Sequence, residues 1–192
     1  MRNIFIIHGS YGHPEENWFP WLKSELEELN CNVIVPKFPI HSNTKHDHRI
    51  NEWLKKMEQY MNYINEETIF VAHSRGNVFL YRFFMKYPVQ VKATYLVAPW
   101  IYWKTSLWSS DPTIIDSFHN KSFEWDKIRN RSSYFEIFQS MNDVIPVTEG
   151  KELAQNLNAK LILVKNAGHF NITTYKKFKK FPYLLERIKL RL

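Results

Sequence analysis

Thr68-Ile69-Phe70-Val71-Ala72-His73-Ser74-Arg75-Gly76 is the stretch on which the reading of this chain turns. Five residues, Thr68 to Ala72, have the composition of a buried strand, and the residues from Asn77 to Lys86 have helical spacing and stop before Pro88. Between them stands a serine with Ala72 two positions before it and Gly76 two positions after. A strand that turns sharply into a helix needs small residues at both places, and the turn lifts the serine hydroxyl out of the backbone. Ala72 stands where the G-x-S-x-G form of this elbow has its first glycine, and the steric requirement is met all the same. Taken alone, the segment also fits a serine that merely caps the following helix.

Outward from this segment, strand-like and helix-like stretches alternate. Ile4–Ile7 and Val33–Val35 read as strands before it, and Ala93–Val97, Tyr134–Gln139 and Lys160–Val164 as strands after it. Residues 15–29, 49–64, 148–157 and 182–190 read as helices; Trp53, Leu54, Met57, Met61 and Ile64 fall on one face of the second, and Pro182 suits the first turn of the last. Several strands are continuous apolar runs, the pattern of a parallel sheet covered on both faces. The expectation is a three-layer α/β/α domain with a doubly wound parallel sheet of six strands, one domain over 1–192. Residues 98–130 form an irregular aromatic-rich insert within it. In such sheets chemistry lies beyond the carboxyl ends of the strands.

The loops at that edge hold further polar groups. His169 lies in Asn166-Ala167-Gly168-His169-Phe170 after the last strand, and Asp143 in Ser140-Met141-Asn142-Asp143-Val144-Ile145-Pro146 after the fifth. A serine is a weak nucleophile until a base takes its proton. Ser74, Asp143 and His169 follow in the chain order expected of an elbow serine with its acid and base. His169 would accept the Ser74 proton, and Asp143 would orient the imidazole and stabilise its cation. Backbone amides are also needed to hold a developing oxyanion. The Arg75 amide, at a helix N-terminus, is one candidate. The other is the Ser10 amide in His8-Gly9-Ser10-Tyr11-Gly12, where Gly9 and Gly12 permit close approach. Asp111 and Asp116, in the aromatic insert, are alternative acids.

The whole-chain properties bound the function classes. The chain has 192 residues, 44% hydrophobic and 16% aromatic, with a formal net charge of +7. Nearly all of that charge lies in 175–192, where Lys176, Lys177, Lys179, Lys180, Arg187, Lys189 and Arg191 face the single acid Glu186. A nucleic-acid binder carries a broad basic face, so no nucleic-acid partner is expected and the basic stretch reads as a solvated terminal segment. Cys31 is the only cysteine, which excludes an intramolecular disulfide and argues against a thiolate metal site. No stretch approaches the roughly 20 apolar residues of a membrane span, and the apolar run after Asn3 is too short for a signal-peptide core. A cytoplasmic protein without integral membrane association is expected.

Together, His8-Gly9-Ser10 with Trp18 and Trp21, Ala72-His73-Ser74-Arg75-Gly76, Asn142-Asp143-Val144-Ile145-Pro146 and Gly168-His169-Phe170 resemble the α/β-hydrolase superfamily. More narrowly, the chain is similar to small cap-less serine hydrolases like retinoblastoma-binding protein nine, over residues 4 to about 190. The resemblance implies a minimal α/β-hydrolase sheet of order 2-1-3-4-5-6. It implies Ser74, Asp143 and His169 as triad, and Ser10 and Arg75 as oxyanion donors. It also implies that some relatives are slow esterases and that some act through protein contacts. Arg75 departs from the small or apolar residue commoner at its place.

Other features have weaker readings. His41, His46, Asp47 and His48 are metal-binding types in a polar stretch and read as a solvated loop; no metal and no cofactor is expected. His73, beside the nucleophile, reads as a packing group or as a support behind the reacting residues, not as a base. Tyr11, Trp100, Trp103, Trp108 and Phe170 are candidates to line a substrate pocket. The leading function is cleavage of a small carboxylic ester or amide through an acyl-enzyme, and the alternative is a binding or regulatory protein on the same fold with little turnover. A protein partner is compatible with either.

Overall fold

A computed structural model describes residues 1–40, 49–101, 117–118 and 122–192. Six strands form one parallel sheet: β1 (Arg2–Ile7), β2 (Cys31–Ile34), β3 (Ile69–His73), β4 (Ala93–Val97), β5 (Phe135–Ser140) and β6 (Lys160–Val164). Their order is β2-β1-β3-β4-β5-β6. Register places Ile7 beside Ala72, Ala72 beside Leu96 and His73 beside Val97. Successive side chains on a strand point to opposite faces, so each apolar strand feeds two cores. Phe5, Ile7, Phe70, Leu96 and Ile137 pack with α2 (Ile50–Glu58), α3 (Arg75–Lys86), α4 (Trp125–Arg129) and α5 (Val147–Leu157). Ile4, Ile6, Val71, Tyr95 and Val97 pack on the other face with α1 (Phe19–Glu28) and α6 (Pro182–Lys189). This two-sided burial is why β3 and β4 carry no alternation.

Several boundaries differ from the sequence reading. α1 begins at Phe19 rather than residue 15, with a proline in its first turn. α2 ends at Glu58, and a separate 3-10 turn, Met61–Tyr63, follows. α3 begins directly at Arg75. The stretch 98–130 contains the helix α4, and much of the rest of it lies outside the described residues.

The basic stretch is not a solvated tail throughout. Lys176, Lys177, Lys179 and Lys180 are exposed, yet Phe178, Phe181, Leu184, Leu185 and Ile188 are buried. Arg187 Nε lies 2.7 Å from Glu136 Oε1, whose side chain is fully buried on β5, and Tyr134 donates to the same carboxylate at 2.7 Å. Apolar anchors between the lysines therefore close the α1–α6 core. Among the described residues, no helix is long and apolar enough to cross a membrane.

In this strand order the chain runs from β1 to β2 on one side of it, then crosses back past β1 to β3 on the other. The switch point, where open α/β sheets bind ligands, lies at the carboxyl ends of β1 and β3. Residues 8–12 and 74–76 emerge there.

Candidate active site

Ser74 follows β3 with φ 53° and ψ −124°, a conformation that strains an L-residue by about 1–3 kcal/mol. The surroundings impose it. The Ser74 amide donates to the Val97 carbonyl at 3.0 Å. The Asn77 side-chain amide donates to the Ser74 carbonyl at 2.8 Å and to Val97 O at 2.9 Å, clamping the elbow to β4. Helix α3 meets the sheet so closely that a Cβ on Gly76 would stand 2.7 Å from the carbonyl oxygens of both Ile7 and His8. On the other side, a Cβ on Gly9 would stand 2.8 Å from Ser74 Cβ. The two glycines thus let the β1 loop and the first turn of α3 close around the serine.

His169 and Asp143 arrive from the loops after β6 and β5. His169 Nε2 is 2.9 Å from Ser74 Oγ, and Nδ1 is 3.0 Å from each oxygen of Asp143. An ionised carboxylate only accepts hydrogen bonds, so Nδ1 carries the proton and Nε2 offers its lone pair to the hydroxyl. The Asp143 side chain is fully buried, that of His169 19% exposed. The Ile145 amide donates to Asp143 Oδ1 at 3.3 Å. Asn142 ties the two loops together: its Oδ1 accepts from the Gly168 amide at 3.0 Å, and its Nδ2 reaches the Tyr175 hydroxyl at 3.1 Å. The arrangement can move a proton from Ser74 to His169 while a carboxylate faces the resulting cation.

Arg75 is the first residue of α3, where amides point out of the helix end. Its Nε donates to Ser10 Oγ at 2.6 Å, so the two residues proposed as oxyanion donors are joined through their side chains. The guanidinium lies 5.7 Å from the Trp100 ring centroid and 5.2 Å from that of Phe118, so it rests against two aromatic faces rather than extending freely into solvent.

The expected pocket residues divide. Tyr11 is half exposed and borders a groove of about 830 Å³ that also involves His13, Lys37, Phe38 and Lys55. Trp100 is buried under Arg75. Phe170 is fully buried, its ring tilted against those of Phe178 and Phe181 in the α1–α6 core. It is therefore a core residue and not a pocket wall: its φ of 51° turns the ring back under α6. Trp103, Trp108, Asp111, Asp116, His41, His46, Asp47 and His48 lie outside the described residues. No cluster of three or more His, Cys, Asp or Glu suited to a metal occurs among the described residues.

Three groups at the site were not singled out from sequence. Asn77 and Asn142 clamp the elbow and the two loops, and their signal is weak: a buried amide on a helix, and an Asn beside the acid. His8 is buried with Nδ1–H donated to Gly9 O at 2.9 Å and Nε2 accepting from the Phe38 amide at 3.1 Å. Burial pushes its pKa down to about 4.

A family profile described as Serine hydrolase matches residues 4–189. The YdeN protein of Bacillus subtilis (strain 168) is 28% identical over 176 residues, covering 88% of this chain and 86% of its own. The crystal structure of that gene product superposes with a TM-score of 0.86 at 26% identity, over 100% of this chain and 98% of the other. Serine hydrolase RBBP9 of Rattus norvegicus is 27% identical over 162 residues, 82% of this chain and 80% of its own. Est1E of Butyrivibrio proteoclasticus, solved with ferulic acid, shares the fold at a TM-score of 0.67 and 16% identity, over 98% of this chain and 90% of the other.

Proposed function

The chain belongs to the serine hydrolase family, and we propose that it cleaves small carboxylic esters, or amides, through an acyl-enzyme on Ser74. The single observation that carries this reading is the continuous relay of Ser74 Oγ, His169 Nε2 and Nδ1, and the Asp143 carboxylate, with contacts of 2.9 and 3.0 Å. His169 takes the hydroxyl proton as Ser74 Oγ attacks the carbonyl carbon, and Asp143 stabilises the imidazolium. Amides of Ser10 and Arg75 hold the oxyanion, a contribution of about 3 kcal/mol per donor in other hydrolases. His169 then gives its proton to the departing alcohol or amine. A water molecule, deprotonated by the same imidazole, releases the acid.

One domain over 1–192 carries this chemistry in our reading, with no cofactor or metal. The free, buried thiol of Cys31 is compatible with the cytoplasm. A fluorophosphonate probe tests the proposal: it should label the wild-type protein at Ser74 and leave Ser74→Ala unlabelled. Folded wild-type protein that resists the probe would favour a binding protein on the same fold.

A further inference from the structure

The loop that presents His169 is held by its backbone at four consecutive residues. The Ala167 amide donates to Ser140 Oγ at 3.3 Å and the Gly168 amide to Asn142 Oδ1 at 3.0 Å. The Phe170 carbonyl accepts from Trp18 Nε1 at 3.0 Å. The remaining group, the His169 carbonyl, is 2.8 Å from His73 Nε2. Asn166 and Phe170 both have positive φ, so the loop adopts a conformation that its own residues do not favour and that these bonds maintain.

His73 differs from the other anchors because it is joined directly to Ser74. It is the last residue of β3, 5% exposed, with its ring edge-on to Trp18 and Phe19 and 5.0 Å from the ring of His169. A carbonyl only accepts, so Nε2 of His73 carries the proton. We propose that His73 is a positioning residue whose Nε2–H, donated to the His169 carbonyl, sets the distance between the attacking hydroxyl and its base. The bond spans the gap between the β3 elbow and the β6 loop by one ring. Any sliding of the base relative to Ser74 must stretch it.

The neutral state of the ring matters as well. A cation 5.0 Å away would oppose the charge that His169 gains as Ser74 attacks. Burial, helped by the neighbouring His169, lowers the His73 pKa to about 3, and the titratable groups that act on it are His169 and His8. His73 therefore donates its hydrogen bond without competing for the proton in transit.

This inference rests on the hydrolase reading above, and the test separates the two. Turnover of p-nitrophenyl acetate is compared in wild type, His73→Phe, which keeps a ring but no donor, and His73→Gln, whose side-chain amide reaches about as far as Nε2. Expected is a fall in kcat of about 10- to 100-fold in His73→Phe, the cost of a misplaced reacting group, with KM within about twofold. Rescue by His73→Gln to within about threefold of wild type is expected alongside. Wild-type kcat in His73→Phe, or equal loss in both variants, overturns the proposal. Should His73→Phe not fold, His73→Asn takes its place: its amide falls short of the carbonyl, so it must be slow where His73→Gln is fast, and equal rates overturn the proposal. Nitrogen-15 NMR of the wild-type imidazoles requires no turnover. It should find His73 as the Nε2–H tautomer, unchanged between pH 5 and pH 8; the Nδ1–H tautomer would overturn the proposal even if the protein proved to have no esterase activity.

Discussion

Acidification from pH 7 to pH 5 should destabilise this protein far more than its surface charges would. His8 and His73 are both buried as neutral rings, and burial holds their pKa values at about 4 and about 3 against an ordinary 6.5. In the unfolded chain both would protonate below pH 6.5. Between that value and pH 4 the unfolded state therefore binds more protons than the fold. Stability is complete above pH 6.5 and drains away as pH falls through the window. One pKa unit corresponds to about 1.4 kcal/mol per group, so two groups lose roughly 4 kcal/mol between pH 7 and pH 5. That is a large share of the roughly 5–15 kcal/mol that holds a typical domain together. Urea unfolding at the two pH values reads the effect directly. With a slope of about 2 kcal/mol per molar urea, the midpoint should drop by about 2 M. In His73→Gln the pH-dependent part should be about half as large, because one of the two titrating rings is gone. A midpoint that moves by less than about 0.5 M in wild type, or an unaltered pH dependence in His73→Gln, would refute the assignment of two buried neutral histidines.

Further substitutions probe the other contacts. Gly76→Ala should cost at least about 1–3 kcal/mol in chemical denaturation and abolish most turnover, since its Cβ would press on two backbone carbonyls at 2.7 Å. Arg187→Ala should destabilise by about 3–5 kcal/mol by stranding the buried Glu136 carboxylate, and adding Glu136→Gln should recover much of the loss in melting temperature. Arg75→Met, which removes the bond to Ser10 Oγ, should lower kcat about tenfold with a smaller change in KM, as the β1 loop loses its link to α3. Asp143→Asn should cut ester turnover by about four orders of magnitude through the wrong imidazole tautomer.

The sheet was legible because its strands are short apolar runs between breakers, and burial on both faces writes itself into such runs. Ile69–His73, buried at every position, is the clearest case. Boundaries were less legible: α2 stops at Glu58 although the apolar spacing continues to Ile64, because Met61 and Ile64 are carried by a 3-10 turn and the loop after it. The lysines at 176–180 disguised the anchoring role of Phe178 and Phe181. A sequence window averages charge and burial that the fold separates by direction.

At the candidate site, the serine, acid and histidine could be picked out because each sits at a strand end and their order is informative. Which contacts hold them in place could not. Asn77, Asn142 and His73 pair with groups 20, 26 and 96 positions away, and no local pattern encodes so distant a partner. Phe170 was misplaced for a related reason. Its neighbour His169 faces the site, but a left-handed backbone turn sends the next ring into the core.

Intact-mass and peptide mass spectrometry of protein acid-quenched during turnover of p-nitrophenyl acetate examines the covalent chemistry most directly. A single acetyl group should be found on Ser74, and neither adduct nor turnover should remain in Ser74→Ala. Hydrolysis that persists in Ser74→Ala, or acetylation confined to another residue, would contradict nucleophilic attack by Ser74.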